Sequence, residues 1–239
     1  MTDSARIPVM AAPGPAQSEE LIHFTSRGEA ASFPGDVPAQ IRDMKPWERL
    51  DKILGNGELA GFPPFGAPGT PCSCFSESPP EHLAHLIADR GFAPWGIVLT
   101  RTAAVAMGGG AVAYVPDEVH ARFVAAGLGH WAVRVGNNSQ WTHEREWRIP
   151  LSPLSGPDST QYGAIRIHRL SAILVGDPDW RPTPVTVGWA HGADGTQAYP
   201  NEPGAVRLTE LPELWRTASI WVWNAATRKV DPHQAGALV

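Results

Sequence analysis

The stretch Trp-Thr-His-Glu-Arg-Glu-Trp-Arg-Ile-Pro occupies residues 141–150. Together with Gln140 it predicts a β-strand. Because side chains alternate between the two faces of a strand, Glu144, Glu146 and Arg148 should project from the same face. Two carboxylates one pleat apart repel each other, a cost that a purely structural strand avoids unless Arg148 or another cation compensates. Such a pair suits acid–base catalysis or the stabilisation of positive charge on a substrate.

The polar positions of this stretch also fit a structural role. An exposed edge strand whose charges prevent aggregation accounts for the two glutamates about as well, although the neighbouring indoles weigh against it. Two earlier segments also carry aligned polar side chains: His23 and Thr25 in a first strand, and Ser76 at the end of another. Each has a structural alternative, namely a histidine hydrogen-bonded to a nearby carbonyl and a serine in a turn.

Composition limits the class of protein. The 24 Gly and 24 Pro among 239 residues indicate many turns and exclude a helix bundle or coiled coil. With 43% hydrophobic and 18% charged residues, and 10 Trp, the chain should be globular. The net charge of -5 provides no general basic field for nucleic acid. A local basic patch formed by Arg166, Arg169 and Arg181 is compatible with this charge.

Short strands dominate the predicted organisation, with few helices and no regular alternation of strand and helix. This pattern predicts an α+β fold around one or two antiparallel sheets. The predicted helices lie over Lys45–Leu54, ended by a glycine turn, after a capping box that starts at Ser78, and from Pro116-Asp117 through Phe123. We expect residues 1–20 to form a disordered lead, residues 21–180 one domain, and residues 181–239 a Gly/Pro-rich extension packed on that domain.

Several further features predict a cytoplasmic protein without a membrane span or a metal. The N-terminal residues lack the apolar core of a signal peptide, and the longest apolar run, Ala103–Val115, is too short and glycine-rich to cross a bilayer. Cys72 and Cys74 are too close in sequence to favour a disulfide, which indicates a reducing compartment. His82 and His85 share a helical face, but no third metal ligand is indicated nearby.

The order of these motifs resembles a known signature. His-x-Thr on a first strand, a strand ending in Ser, and Glu-x-Glu on a later strand follow the order and spacing seen in ADP-ribosyltransferases. The helix and glycine turn at residues 50–59 resemble DarT-like DNA ADP-ribosyltransferases. A closer resemblance, to the AbiGi family of abortive-infection proteins, is carried by Cys74–Glu77, Trp95–Ile97, Tyr114-Val115 and Glu144–Arg148.

The resemblance implies two small antiparallel sheets that form a split cleft for NAD, which is the co-substrate. His23 and Thr25 would contact an NAD ribose, and Ser76 would support the cleft. Phe75 or Trp95, or else Phe92, would stack on nicotinamide in place of the family's tyrosines. Glu146 would be the catalytic carboxylate, and Glu144 would position or deprotonate the acceptor.

The implied activity is cleavage of the nicotinamide glycosidic bond of NAD, with ADP-ribosyl transfer or hydrolysis, in a bacterial toxin–antitoxin or phage-defence setting. The acceptor could be a protein, a nucleic acid or a small molecule. The alternative is an inactive, antitoxin-like protein of the AbiGi type that binds a protein partner through its tryptophan-rich surface.

Overall fold

The computed structural model describes residues 17–26, 39–64, 67, 69–136, 141–155, 161–192 and 194–238. The strands are β1 (Glu20–Phe24), β2 (Glu58–Gly61), β3 (Cys72–Glu77), β4 (Gly96–Thr100), β5 (Gly110–Ala111), β6 (Ala113–Val115), β7 (Ala132–Arg134), β8 (Glu146–Pro150), β9 (Pro153–Ser155), β10 (Gln161–Arg166), β11 (Ala172–Val175), β12 (Val185–His191), β13 (Ala205–Glu210), β14 (Ser219–Asn224) and β15 (Lys229–His233). The α-helices are α1 (Ala39–Arg42), α2 (Pro46–Asn56), α3 (Pro80–Ala84), α4 (Arg101–Ala106), α5 (Asp117–Ala125) and α6 (Glu213–Thr217). A π-helical turn over His85–Asp89 extends α3, and 3₁₀ turns cover Gly129–Trp131 and Trp141–Glu144.

The centre of the fold is an eight-stranded sheet in the order β15-β14-β11-β4-β1-β3-β8-β5. Its neighbouring strands are antiparallel except for β11 and β14, which are parallel. Three smaller sheets contain β2-β10-β9, β12-β13 and β6-β7. The predicted α+β class is therefore confirmed. The resemblance implied two small antiparallel sheets, and this expectation is wrong because the largest sheet has eight strands. The C-terminal strands β14 and β15 extend it next to the buried β11.

Helices cover both faces of the central sheet. One apolar cluster joins Leu21 of β1 and Ile97 of β4 to Leu50 of α2 and Trp215 of α6. The other joins alternate residues of the same strands, such as Ile22 and Val98, to the helical segment after residue 80. A strand that is buried on both faces has a continuous apolar sequence, and the fully buried β11 is an example.

Local sequence signals account for α2 better than for α3. Helix α2 lies where the sequence predicts it and ends at Gly57, whose positive φ of 63° favours a residue without a side chain. Helix α3 begins at Pro80, and the predicted capping box of Ser78 does not form. The Ser78 hydroxyl instead lies 2.9 Å from that of Ser76, so a contact within the site replaces the helix cap.

The structure tests part of the predicted N-terminal lead and the search for a membrane span. Residues 1–16 of the predicted disordered lead lie outside the described residues. Strand β1 starts at Glu20, one residue before the predicted start of order. No helix in the described part of the chain is long and apolar enough to cross a membrane.

Gly96 provides a test of the packing of β1 on β4. A Cβ atom at this position would overlap the carbonyl oxygen of His23 on the neighbouring strand. We expect Gly96→Ala to lower the free energy of unfolding by about 1–3 kcal/mol, as measured by urea denaturation. Gly188→Ala is the control, because a Cβ at Gly188 meets no atom within 4 Å. Equal losses in the two variants would contradict the described packing.

Candidate active site

Three adjacent strands of the central sheet carry the predicted site residues. In the register of β1, β3 and β8, Ile22 lies opposite Ser76, and Ser76 lies opposite Glu146. Directly opposed residues in antiparallel strands share a face. Ser76 and Glu146 are far apart in the sequence, so they are neighbours only through the pairing of β3 with β8.

The sheet splits between β1 and β3. These strands pair over only two positions, whereas β1 pairs with β4, and β3 with β8, over five each. Beyond the pair of Ile22 and Ser76, the imidazole Nδ1 of His23 lies 2.8 Å from the carbonyl oxygen of Cys74. Since a carbonyl only accepts hydrogen bonds, Nδ1 carries the proton in this contact. A side-chain hydrogen bond thus joins β1 to β3 where backbone pairing between the two strands has ended.

A cavity of about 110 Å³ lies at this split. Five predicted site residues line it, namely His23, Phe75, Ser76, Glu144 and Glu146. The rest of its wall is formed by Ile22, Phe24, Cys74 and Phe92. His23 and Phe75 make a tilted ring contact at 5.5 Å, and Phe24 meets Phe92 edge to face at 5.0 Å. The cavity wall therefore combines aromatic rings with carboxylates and a hydroxyl.

Thr25 and Trp95, the other two predicted site residues, do not line this cavity. The backbone nitrogen and the hydroxyl of Thr25 both donate to the carbonyl oxygen of Trp95, at 2.9 Å and 3.1 Å. The Trp95 indole contacts the rings of Trp47 and Trp180. The two residues thus anchor the end of β1 to a separate aromatic cluster.

Glu146 forms a buried, two-pronged ion pair with Arg148. Nε of Arg148 donates to Oε1 of Glu146 at 2.9 Å, and Nη2 donates to Oε2 at 3.2 Å. Both side chains are less than a tenth exposed. Burial acts to lower the pKa of Arg148, but the attraction and hydrogen bond of the Glu146 carboxylate, together with the nearby Cys74 and Cys72 groups, outweigh burial, so the pKa is raised. Arg148 is the compensating cation that the alternation of charges in the sequence suggested.

Glu144 does not share a strand with Glu146. Residues 141–144 form a 3₁₀ turn, and Arg145 has a positive φ of 48°, so β8 starts only at Glu146. The predicted strand over 140–150 is therefore wrong at residues 141–145, while Gln140 lies outside the described residues, and the two carboxylates are not on one strand face. The Ser76 hydroxyl donates to the Glu144 carbonyl oxygen at 2.6 Å, and this contact holds the turn at the cavity.

The buried carboxylate of Glu77 explains the break in the strand. Its Oε2 accepts from the Trp147 indole at 3.0 Å, and its Oε1 accepts from Nη2 of Arg145 at 3.3 Å and from the backbone nitrogen of Ser18 at 3.1 Å. A left-handed backbone is costly for a residue other than glycine unless its surroundings compensate. The ion pair with Glu77 provides such compensation for Arg145.

Tyr114 and Cys74 are parts of the site that sequence reasoning did not assign. The backbone nitrogen of Glu146 donates to the Tyr114 hydroxyl at 2.7 Å, and burial raises the pKa of Tyr114 to about 12. The neighbouring Cys72 thiol and burial together raise the pKa of Cys74 well above its ordinary value. Cys74 is thus a neutral thiol in the cavity wall, without the thiolate character of a nucleophile.

The described residues include no group of three or more His, Cys, Asp or Glu placed to hold a metal ion. Comparisons with protein-family models, with curated proteins and with solved structures find no match to the chain. The chemistry that the site can perform therefore has to follow from its own residues.

The ion pair provides a test of the electrostatics of the site. Arg148→Met removes the guanidinium that pairs with the buried Glu146 carboxylate, and we expect the free energy of unfolding to fall by about 3–5 kcal/mol in urea denaturation. The control is Arg166→Met, which breaks an exposed pair with Glu58 and should cost less than about 1 kcal/mol.

A double variant separates charge from packing in the same measurement. Adding Glu146→Leu to Arg148→Met removes both charges, and we expect it to restore part of the lost stability. A double variant less stable than Arg148→Met alone would contradict the description of the pair as two mutually compensating buried charges.

Proposed function

We propose that the protein cleaves the glycosidic bond between nicotinamide and ribose in NAD and transfers the ADP-ribosyl group to an acceptor or to water. The observation that carries the proposal is the convergence of His23, Ser76 and Glu146 on one cavity at the split in the sheet. These residues come from separate strands, and their order resembles that of the ADP-ribosyltransferase signature. A shared cleft is the arrangement that this resemblance requires of them.

Glu146 would stabilise the transition state. As the bond breaks, its electron pair passes to the nicotinamide nitrogen, and positive charge develops on the ribose carbon. A carboxylate fixed beside the ribose 2′-hydroxyl stabilises this charge because it needs no reorganisation at the moment of reaction. The two hydrogen bonds from Arg148 hold the Glu146 carboxylate in a fixed orientation.

Glu144 would serve the acceptor. An incoming oxygen forms the new bond to the ribose carbon and must lose its proton, which a nearby carboxylate can accept. The turn that carries Glu144 brings it to the same cavity from outside β8. The two carboxylates would thus reach the same cavity from different elements.

The volume of the cavity limits how much of NAD can enter it. Ligand pockets usually measure about 300–1,000 Å³, so the space of about 110 Å³ is too small for a dinucleotide. A cavity of about 150 Å³ accepts benzene, so this smaller space admits the edge of a single aromatic ring rather than a whole ring. The nicotinamide ring would contact Phe75 and Phe92, and the rest of NAD would extend beyond the cavity.

The biological setting follows from the resemblance to AbiGi proteins and is part of the proposal. It places the reaction in a bacterial toxin–antitoxin or phage-defence system in the cytoplasm. The acceptor classes compatible with the site are a protein, a nucleic acid and a small molecule.

A second candidate function is partner binding without catalysis, as in an antitoxin-like protein. Two observations favour it. Both oxygens of Glu146 are already ion-paired, and the ribbon of β12 and β13 exposes apolar side chains, including Val187, Val206 and Leu208, to solvent. Exposed apolar groups of this kind are common where proteins bind each other.

The release of nicotinamide from NAD by the purified protein tests the proposed reaction. We expect Glu146→Gln, which keeps the shape of the side chain but removes its charge, to lower the rate by about 100-fold or more. The matched control is Glu210→Gln, because Glu210 is exposed, pairs with Arg216 and does not line the cavity. The control should release nicotinamide at the wild-type rate.

Circular dichroism of each variant verifies the fold, since Glu146→Gln also removes half of a buried ion pair. Glu144→Gln, which leaves that ion pair intact, is a second variant for the same assay. Equal rates in the wild type and in folded Glu146→Gln would reject the assignment of Glu146. Tight binding of a partner protein, with no NAD bound in calorimetry, would favour the second candidate function.

A further inference from the structure

A second and larger cavity lies between α2 and the segment that precedes β12. Its volume is about 520 Å³, within the range of about 300–1,000 Å³ that is usual for ligand pockets. We call it the tryptophan groove, because Trp47 and Trp180 line it from opposite elements, together with Lys52 and Arg181. Trp47 is 42% exposed, which is unusual for so large an apolar ring.

The walls of the tryptophan groove are held in place by their neighbours. Both oxygens of Asp51 accept hydrogen bonds from Thr183, at 2.6 Å from its backbone nitrogen and at 2.8 Å from its hydroxyl. The Trp180 ring makes edge-to-face contacts with Trp95 at 5.2 Å and with Trp215 at 5.6 Å. A ligand would thus meet a groove that is already formed, with little ordering left to do.

Formal charge alone does not select the ligand, because Glu48 and Asp51 balance Lys52 and Arg181. Hydrogen bonding does distinguish the two acidic side chains from the two basic ones. The Glu48 carboxylate accepts a hydrogen bond from the backbone nitrogen of Lys45 at 2.7 Å, and both oxygens of Asp51 accept hydrogen bonds from Thr183. Neither cation makes an ion pair within the part of the chain that the structure describes.

The guanidinium of Arg181 donates only to neutral carbonyl oxygens among the described residues. Its Nη1 lies 2.8 Å from the carbonyl oxygen of Pro178 and 2.9 Å from that of Trp180. These contacts fix the position of the side chain but do not neutralise its charge. The tryptophan groove therefore combines exposed aromatic surface with cations able to receive an anion.

We propose that the tryptophan groove binds a nucleotide, with the base against Trp47 and Trp180 and a phosphate at Lys52 and Arg181. Indole rings stack on any base, and basic side chains beside them attract the phosphate. The nucleotide can be free or part of a single strand, since both present the same base and phosphate. This binding does not depend on the reaction proposed for the cavity at Glu146.

Titration of the full chain with AMP tests the proposal, with tryptophan fluorescence and calorimetry as the measurements. Trp47→Leu should weaken AMP binding by about tenfold through loss of stacking. Lys52→Gln should weaken it by about three- to fivefold through loss of an exposed charge contact. Lys229→Gln is the matched control, because Lys229 is an exposed lysine on β15, and it should bind AMP as the wild type does.

Further probes identify the source of the nucleotide. Tighter binding of AMP than of a short oligothymidylate would indicate a free nucleotide, and the reverse order would indicate a single strand; both results support the proposal. Adenosine, which lacks the phosphate, should bind more weakly than AMP. Folded Glu146→Gln should bind AMP like the wild type, whatever its effect on NAD cleavage.

Three results would overturn the proposal. The first is no binding of AMP or oligothymidylate at millimolar concentration. The second is binding that folded Trp47→Leu and Lys52→Gln leave unchanged, or that Glu146→Gln abolishes, since the ligand would then lie elsewhere. The third is binding of choline in preference to AMP, which would identify the groove as a cation site.

Discussion

The buried ion pair between Glu146 and Arg148 is the interaction on which the arrangement of the site depends. Arg148 lies on β8 between β3 and β5, opposite Cys74 and Gly110. Its Nη1 also donates to the carbonyl oxygens of His130 and Ala132, at 2.9 Å and 3.3 Å. One guanidinium thus compensates the Glu146 carboxylate and attaches the segment around β7 to the edge of the sheet. Removing either charge would leave the other buried, which is far more costly than removing both.

A second constraint is the split between β1 and β3, which opens space beside this charge pair. A continuous ladder would bring the two strands too close for a cavity between them. The contact of His23 with the Cys74 carbonyl replaces backbone pairing across the split, and the contact of Ser76 with the Glu144 carbonyl does the same on the other side of β3, where β8 is interrupted. Polar side chains therefore have two roles here. They satisfy backbone groups that the split and the break before β8 leave without strand partners, and they line the cavity.

Features set by neighbouring residues are predictable from the sequence. Helix α2 and its end at Gly57 follow from apolar spacing and a glycine, and β3 and β4 follow from short β-rich runs. The role of Arg148 beside a carboxylate can be anticipated because the two residues alternate in one strand.

Features that depend on distant residues are not predictable in this way. The parallel pairing of β11 with β14 joins segments separated by α6 and the β12–β13 ribbon, and no local pattern specifies it. The turn at Arg145 depends on Glu77, 68 positions earlier in the chain. The resemblance offers Trp95 as one of three rings that would stack on nicotinamide, but its indole packs against Trp47 and Trp180, which come from distant parts of the chain.

The central claim is that the cavity at the split binds the nicotinamide end of NAD. A crystal structure determined from crystals of the full chain soaked with NAD tests this claim most directly. We expect density for the nicotinamide ring, or for the product after cleavage, between Phe75 and Phe92, with a ribose hydroxyl within hydrogen-bonding distance of Glu146. Density for NAD at another surface, with the cavity empty at saturating concentration, would contradict the claim.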